Sequence, residues 1–312
     1  MKKIRDIGEE GIIRIISNST YKENEFLKIG IGDDCAVINI PDTHDVLITT
    51  DMLVEGTHFL IPNFKPEGIG TKAILSNISD IASMGGIPIF ATLSIGLPPE
   101  LPLEFLTDLV DGMNRACKNY KVSIIGGDTV RSNRVVISVT LIGIATKDKI
   151  ARRDGAKPDE LVFTTGNLGT SAIGLEAIIE GYDPELFDPF IKKHYEPEVK
   201  ADFAHLITKE GLISSMIDIS DGLTKDAERI ANLSKVAIVI LEDSLPLPEL
   251  KEEHKRYLKK EPLDYVLSGG EDYELLFTAP KENSQRIVEI AEKLKIKLSV
   301  IGFTEKGIGL YI

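Results

Sequence analysis

The chain has 312 residues, 43% of them hydrophobic, enough for a sizeable core and for two domains. Its 36 Lys and Arg against 49 Asp and Glu leave a formal charge of -13. That balance argues against nucleic-acid binding, which relies on basic groups facing phosphates, and an anionic substrate would need divalent cations as intermediaries.

The N-terminal "MKKIRDIGEEGIIRIIS" has only short apolar runs broken by Glu9, Glu10 and Arg14, so it reads as an amphipathic helix and not a signal peptide. No run approaches a membrane span. Strand patterns follow in "DVLITTD", "IFATLSIGL", "VVISVTLIGIA" and "LVFTTG". They alternate with helical stretches such as "GIGTKAILSNISDIASMG" and "LPLEFLTDLVDGMNRACKNY", the signature of a mixed α/β protein. "KDKIARRDGAKPDE", residues 147 to 160, is polar and lacks apolar periodicity, which marks a boundary between domains 1–147 and 148–312. Beyond it, "LGTSAIGLEAIIEG" and "LTKDAERIANLSKV" read as helices, and "AIVILED", "YELLFTAP" and "KLSVIGF" as strands. Cys35 and Cys117 are too few and too isolated for a disulfide framework or a zinc cluster, so a reducing cytoplasm is the expected setting.

A recurring feature is an acid at the end of an apolar run, where α/β proteins open their ligand crevice. Asp34 follows a Gly-rich stretch, Asp51 ends "VLITTD", Asp80 sits in "NISD", Asp128 ends "VSIIGGD", and Asp218 and Asp221 bracket "DISD". The two halves echo each other weakly: "NISDIASMGG" and "IDISDGLTKD" both place Ser-Asp before a helix, and "IIGGDT" and "LSGGED" both place Gly-Gly before an acid.

Magnesium explains this choice of residue, because it takes hard oxygen ligands and commonly bridges one or two carboxylates to substrate phosphates. Thr49 and Thr50, beside Asp51, can add oxygen ligands, and the Gly-Gly pairs would let backbone amides approach phosphate. Other readings fail on spacing. In "GIGDDC" Cys35 stands where a dinucleotide fingerprint needs its third glycine, and Asp33 and Asp34 would repel the pyrophosphate. The chain has no zinc-ligand spacing, no Walker A loop and no protein-kinase signature. "DISDGLTKDAER" puts Gly222 and Arg229 at the wrong places for an EF-hand.

Taken together, "GIGDDCA", "TTDMLVEGTHF", "NISDIASMGGIP", "IIGGDT", "RRDGAKPDE", "IDISDGL" and "LSGGEDYEL" resemble the thiamine-monophosphate kinase family of the aminoimidazole-ribonucleotide-synthetase-like superfamily. The resemblance implies a two-domain α/β (α+β) fold: an N-terminal mixed sheet that binds ATP and magnesium and pairs across a homodimer, and a C-terminal α/β domain that completes the active site. It implies ATP-dependent conversion of thiamine monophosphate to thiamine diphosphate. By motif, Asp34, Asp51, Asp80, Asp128 and Asp218 would hold magnesium ions with Thr49 and Thr50, and Asp221 would hold a further ion. Gly127, Asp128, Arg153 and Ser220 would contact ATP, and His58 and Glu271 the thiamine substrate. Asp33 is assigned to shaping its turn. Longer family members continue past "IGFTEKGIGLYI" into a segment carrying an aromatic residue against the substrate, and Tyr311 is the substitute available here.

In such a reaction the nucleophile is a substrate phosphate oxygen already ionised near neutral pH. No Ser-His or Cys-His pair is required, and no side chain is expected to serve as general base. The readings that compete are another ATP-using synthetase of the superfamily and a non-catalytic nucleotide- or metal-binding regulator.

Overall fold

Side chains alternate strictly along the first long strand: Leu47 and Leu53 are buried while Val46, Ile48 and Met52 are exposed, the period-2 pattern of a sheet with one covered face. The computed structural model describes residues 3–20, 24–29, 31, 36–61 and 63–312. Residues cluster by contact into two units, one comprising 1–81 and 87–147, the other 82–86 and 148–312.

In chain order the first unit contains α1 (Ile4–Ser19), β1 (Leu27–Ile29), β2 (Val37–Ile38), β3 (His44–Val54), α2 (Pro66–Ser83), β4 (Ile87–Leu97), α3 (Leu103–Tyr120), β5 (Ser123–Arg131) and β6 (Val136–Thr146). Its sheet runs β3-β6-β4-β5, with β4 and β5 parallel and the other pairs antiparallel. On α3, Phe105, Leu106, Leu109, Val110, Met113, Ala116 and Cys117 are buried, a stripe at helical spacing. The inward residues Leu93, Ile137, Val139 and Leu141 form the covered face of the sheet. Part of the opposite face is closed by Phe26, Leu27, Ile38 and Ile40, packed on Phe90, Ile125 and Ile144. The rest leaves Val46, Ile48, Met52 and Val130 exposed.

The second unit contains β7 (Leu161–Thr165), α4 (Thr170–Glu180), α5 (Asp188–Tyr195), α6 (Ala201–Lys209), β8 (Ser215–Asp218), α7 (Leu223–Ser234), β9 (Ala237–Ile240), α8 (Glu252–Lys255), α9 (Pro262–Ser268), β10 (Leu275–Ala279), α10 (Ser284–Lys293), β11 (Leu298–Glu305) and β12 (Gly309–Tyr311). Six strands run β12-β9-β11-β7-β10-β8. Leu223, Ala227, Ile230 and Ala231 of α7 pack with Val162, Ile217, Ile238 and Leu276 on one face. On the other, Phe277 stacks on Phe163 at 5.1 Å and meets Phe203 of α6 at 6.0 Å. Among the described residues no helix is long and apolar enough to cross a membrane.

Three expectations about the acids need correction. Asp51 and Asp128 do not end their strands: pairing continues to Val54↔Val136 and Leu97↔Arg131, because backbone ladders extend as far as partners exist. Asp80 precedes no helix but lies inside α2. The two Gly-Gly-acid strings also differ, since Gly126 and Gly127 are strand residues whereas Gly269 and Gly270 follow α9. Among the described members of the set, only Asp218 closes its strand.

Candidate functional site

In the first unit, β3 presents Thr49 and Asp51 to the last turns of α2. Thr49 Oγ1 donates to Asp80 Oδ2 at 2.5 Å. As β3 is an edge strand, the Asp51 amide finds its partner off the sheet, donating to Asn77 Oδ1 at 3.1 Å. Asn77 and Asp80 are three residues apart and so share a helix face. The result is a group of oxygen-bearing side chains on the covered side of the sheet, of which sequence reading missed Asn77. Its signal was the helical spacing in "NISD".

Thr50 is not part of this group. It points to the open face, where its hydroxyl donates to the Val139 carbonyl at 3.0 Å and accepts from Thr140 at 3.2 Å. Asp128 is separate as well. Its cross-strand row runs Met52, Ser138, Ser94, Asp128, one step out of phase with the row of Asp51, Val139, Leu93 and Gly127, and successive rows face opposite sides of a pleated sheet. Three strand spacings put β5 roughly 14 Å from β3. Gly127 has a packing reason to be glycine: a Cβ there would lie 1.9 Å from the Leu93 carbonyl oxygen. His58 is exposed, and its Nδ1 accepts from the Val54 amide at 3.0 Å, closing the turn after β3. Asp34 and Asp33 lie outside the described residues.

In the second unit, two loops interlock at one end of the sheet. The Glu271 amide donates to the Ser220 carbonyl at 2.8 Å and the Tyr273 amide to the Ile219 carbonyl at 2.9 Å. Backbone contact is so close that a Cβ on Gly270 would sit 2.6 Å from the Ser220 oxygen. Glu271 and Tyr273 take left-handed φ values of 63° and 52° to hold this pairing. The 218–222 loop is pinned from below by buried Asp226, which accepts from the amides of Ser220 and Asp221, both at 3.0 Å, and from Arg229 Nη1 at 2.5 Å. Burial pushes the Asp226 carboxyl above its ordinary range, and these donors pull it back. Arg229 Nη2 also holds Asp221 Oδ2 at 2.5 Å. Asp218 is buried at the end of β8, opposite Leu275 of β10.

Sequence reading missed four residues around Glu271. Asp272 is fully buried, accepts from the amides of Gly169 at 2.6 Å and Ser171 at 2.9 Å at the start of α4, and is pushed up to about 7 by desolvation. Lys193 Nζ reaches Glu274 Oε1 at 2.5 Å. His194 faces Glu271. The signal for the acids was in "GGEDYE"; nothing local pointed to α5. Arg153 is exposed in a segment that runs beside β8, with its carbonyl accepting from Ser234 Oγ at 3.0 Å. Tyr311 pairs with Val239 on the edge strand β12 and is exposed.

Among the described residues no three His, Cys, Asp or Glu side chains cluster tightly enough to hold a metal ion by themselves. The donor chemistry nevertheless suits magnesium, which is usually held by one or two carboxylates with waters and substrate phosphates rather than by an all-protein cage.

Residues 32–145 match the family model for the AIR synthase related protein N-terminal domain, and residues 157–311 that for the C-terminal domain. The chain is 37% identical to the thiamine-monophosphate kinase of Aquifex aeolicus (strain VF5) over 99% of its own length and 95% of that protein. Among solved structures, it is similar to thiamine-monophosphate kinase from Stenotrophomonas maltophilia K279a, with a TM-score of 0.85 at 29% identity over 96% of this chain and 93% of that one. It is also similar to AaThiL complexed with AMPPCP and TMP, with a TM-score of 0.78 at 35% identity over 100% of this chain and 95% of that one.

Proposed function

Since the chain belongs to the thiamine-monophosphate kinase family, we propose that it transfers the terminal phosphoryl group of ATP to thiamine monophosphate, yielding thiamine diphosphate and ADP. The observation that carries this reading is the extent of the likeness: 37% identity runs through 99% of the chain, so both carboxylate-bearing units fall within it. Magnesium would be held by Asp34, Asp51, Asp80, Asp128 and Asp218 with Thr49, and a further ion by Asp221, while Gly127 and Asp128 would also contact ATP. Thr50 would add a backbone oxygen, its hydroxyl being engaged in the sheet. When bound, the ions would neutralise charge between two polyanions and on the transferring group.

The protein's own groups do the positioning. The acceptor phosphate is its own nucleophile, so what remains is to hold donor and acceptor in line. Arg153, whose guanidinium has no partner among the described residues, and the Ser220 hydroxyl would bind ATP. Glu271, with side chain 31% exposed, and His58, whose ring is exposed beyond the turn it closes, would bind thiamine monophosphate. The unpaired apolar face of β3, with Ile48 68% and Met52 53% exposed, supports a homodimer in which two such faces meet. The small and scattered cysteine content, Cys35 and Cys117 alone, supports a cytoplasmic setting.

Incubation with ATP, magnesium and thiamine monophosphate should yield thiamine diphosphate and ADP in equal amounts. Phosphate release without thiamine diphosphate would overturn the assignment in favour of another reaction of the superfamily.

A further inference from the structure

Helix α7 carries Asp226 and Arg229 three positions apart on one face, and both reach back to the loop ahead of it. Asp226, 0% exposed, takes the amides of Ser220 and Asp221 on one oxygen, Oδ2, both at 3.0 Å. Its other oxygen accepts from Arg229 Nη1 at 2.5 Å, and Nη2 of the same guanidinium reaches Asp221 Oδ2 at 2.5 Å. Asp221 is therefore gripped at its backbone and at its carboxylate by one connected pair. From the opposite side the Ser220 carbonyl accepts from the Glu271 amide at 2.8 Å. A Cβ on Gly222 would lie 2.9 Å from the Ser268 carbonyl carbon, so the loop is clamped between α7 and the 268–271 segment.

The start of a helix ordinarily offers backbone amides to an anion. Ahead of α7 a buried carboxylate of the chain itself takes the amides of Ser220 and Asp221, so they do not serve a phosphate. What the loop presents is its side chains: the Ser220 hydroxyl, which has no partner among the described residues, and Asp221, 46% exposed. We propose that Asp226 and Arg229 are a positioning pair for the nucleotide site. They turn the loop's amides inward and hold the Ser220 and Asp221 side chains in place for the magnesium-bound triphosphate. Arg229 suits this task because its planar fork serves two carboxylates at a fixed spacing, which an ammonium on a flexible stem does not. An ion pair as exposed as Arg229–Asp221 adds little stability, so support of the fold does not account for it. Neither Asp226 nor Arg229 touches the nucleotide in this scheme, which rests on the reading of Ser220 and Asp221 as nucleotide-site groups.

Calorimetric titration of the full chain with a non-hydrolysable ATP analogue and magnesium, alongside steady-state kinetics, tests it. Arg229→Met should weaken analogue binding roughly tenfold and raise KM for ATP in step, while KM for thiamine monophosphate stays within about threefold. Arg229→Lys, which keeps the charge but not the fork, should recover less than about half of that loss. Asp226→Asn, whose amide nitrogen accepts from neither set of donors, should weaken binding at least as much. Should it not fold, the Arg229 variants, at a side chain 41% exposed, decide alone. In a Ser220→Ala/Asp221→Asn background, adding Arg229→Met should weaken binding by less than about twofold, because the pair acts through those side chains. A further loss of roughly tenfold in that background, or full recovery in Arg229→Lys, would show Arg229 attracting the nucleotide directly and overturn the proposal. Equal rises in both KM values would reduce the pair to general support of the fold and overturn it as well. If Ser220→Ala/Asp221→Asn binds the analogue weakly while Arg229→Met binds it like the parent, the positioning role alone fails. If Ser220→Ala/Asp221→Asn itself binds like the parent, the nucleotide role of the loop fails and the positioning role with it.

Discussion

Thr49 and Asp80 are joined by a hydrogen bond of 2.5 Å that ties edge strand β3 to the last turns of α2. The bond fixes the Asp80 carboxylate on the helix face it shares with Asn77, whose Oδ1 holds the Asp51 amide. Removing the hydroxyl in Thr49→Val should weaken magnesium binding roughly 10–100-fold, the range seen when a group orienting a metal ligand is lost. Asp51→Asn should lower turnover by about two to three orders of magnitude without changing the melting temperature. Magnesium titrations of activity check both, and an unshifted magnesium midpoint would remove this group from metal binding.

Asp272 makes a pH prediction of definite sign. Its carboxyl is raised from an ordinary 3.8 to about 7, with desolvation the leading cause. Between those values the native state holds a proton that the unfolded chain has released, so this group's contribution to stability falls as pH rises through the window. Asp272→Asn cannot titrate. Its stability deficit against the parent should therefore shrink from about pH 4 to about pH 7, as read by denaturant unfolding at each pH. Parallel curves would show that Asp272 titrates near its ordinary value.

The adjacent glycines Gly126 and Gly127 separate packing from ligand binding. A Cβ at Gly127 meets the Leu93 carbonyl at 1.9 Å, whereas at Gly126 the nearest atom is Thr92 Cγ2 at 4.0 Å. Gly127→Ala should destabilise the protein by about 1–3 kcal/mol or more through overpacking. Gly126→Ala should leave the melting temperature nearly unchanged, so any loss of its ATP affinity reports on the nucleotide.

Ile48 lies on the open sheet face and is 68% exposed, too exposed to support the fold of a single chain. Ile48→Glu should convert the proposed dimer to monomer in sedimentation-velocity runs while secondary structure is retained. A parent chain that is already monomeric at micromolar concentration would overturn this assignment of the face.

Much of the fold was legible because its signals are local. The apolar stripe of α3 and the alternation along β3 and β6 mark their elements at their own positions. The polar stretch 147–160 carries neither helix nor strand between β6 and β7. The candidate site was legible only in part. "GGED" flagged Glu271, but its neighbour His194 stands 77 positions earlier in the numbering, and no local pattern links them. Asp221 stood out as an acid, but nothing local showed that Arg229, eight residues on, engages its Oδ2.

By itself the sequence determined helices α1 to α4 and α7, most strands, the supply of oxygen ligands and the family likeness, since periodicity and residue type need no partners to be read. Tertiary structure decided which acids meet. Asp51 and Asp128 both follow apolar runs, but the strand register places them on opposite faces of one sheet, a property of pairing between segments distant in the chain. It also decided burial. Asp272 and Glu271 are neighbours in sequence, and only packing buries the first against the end of α4 while leaving the second 31% exposed beside His194.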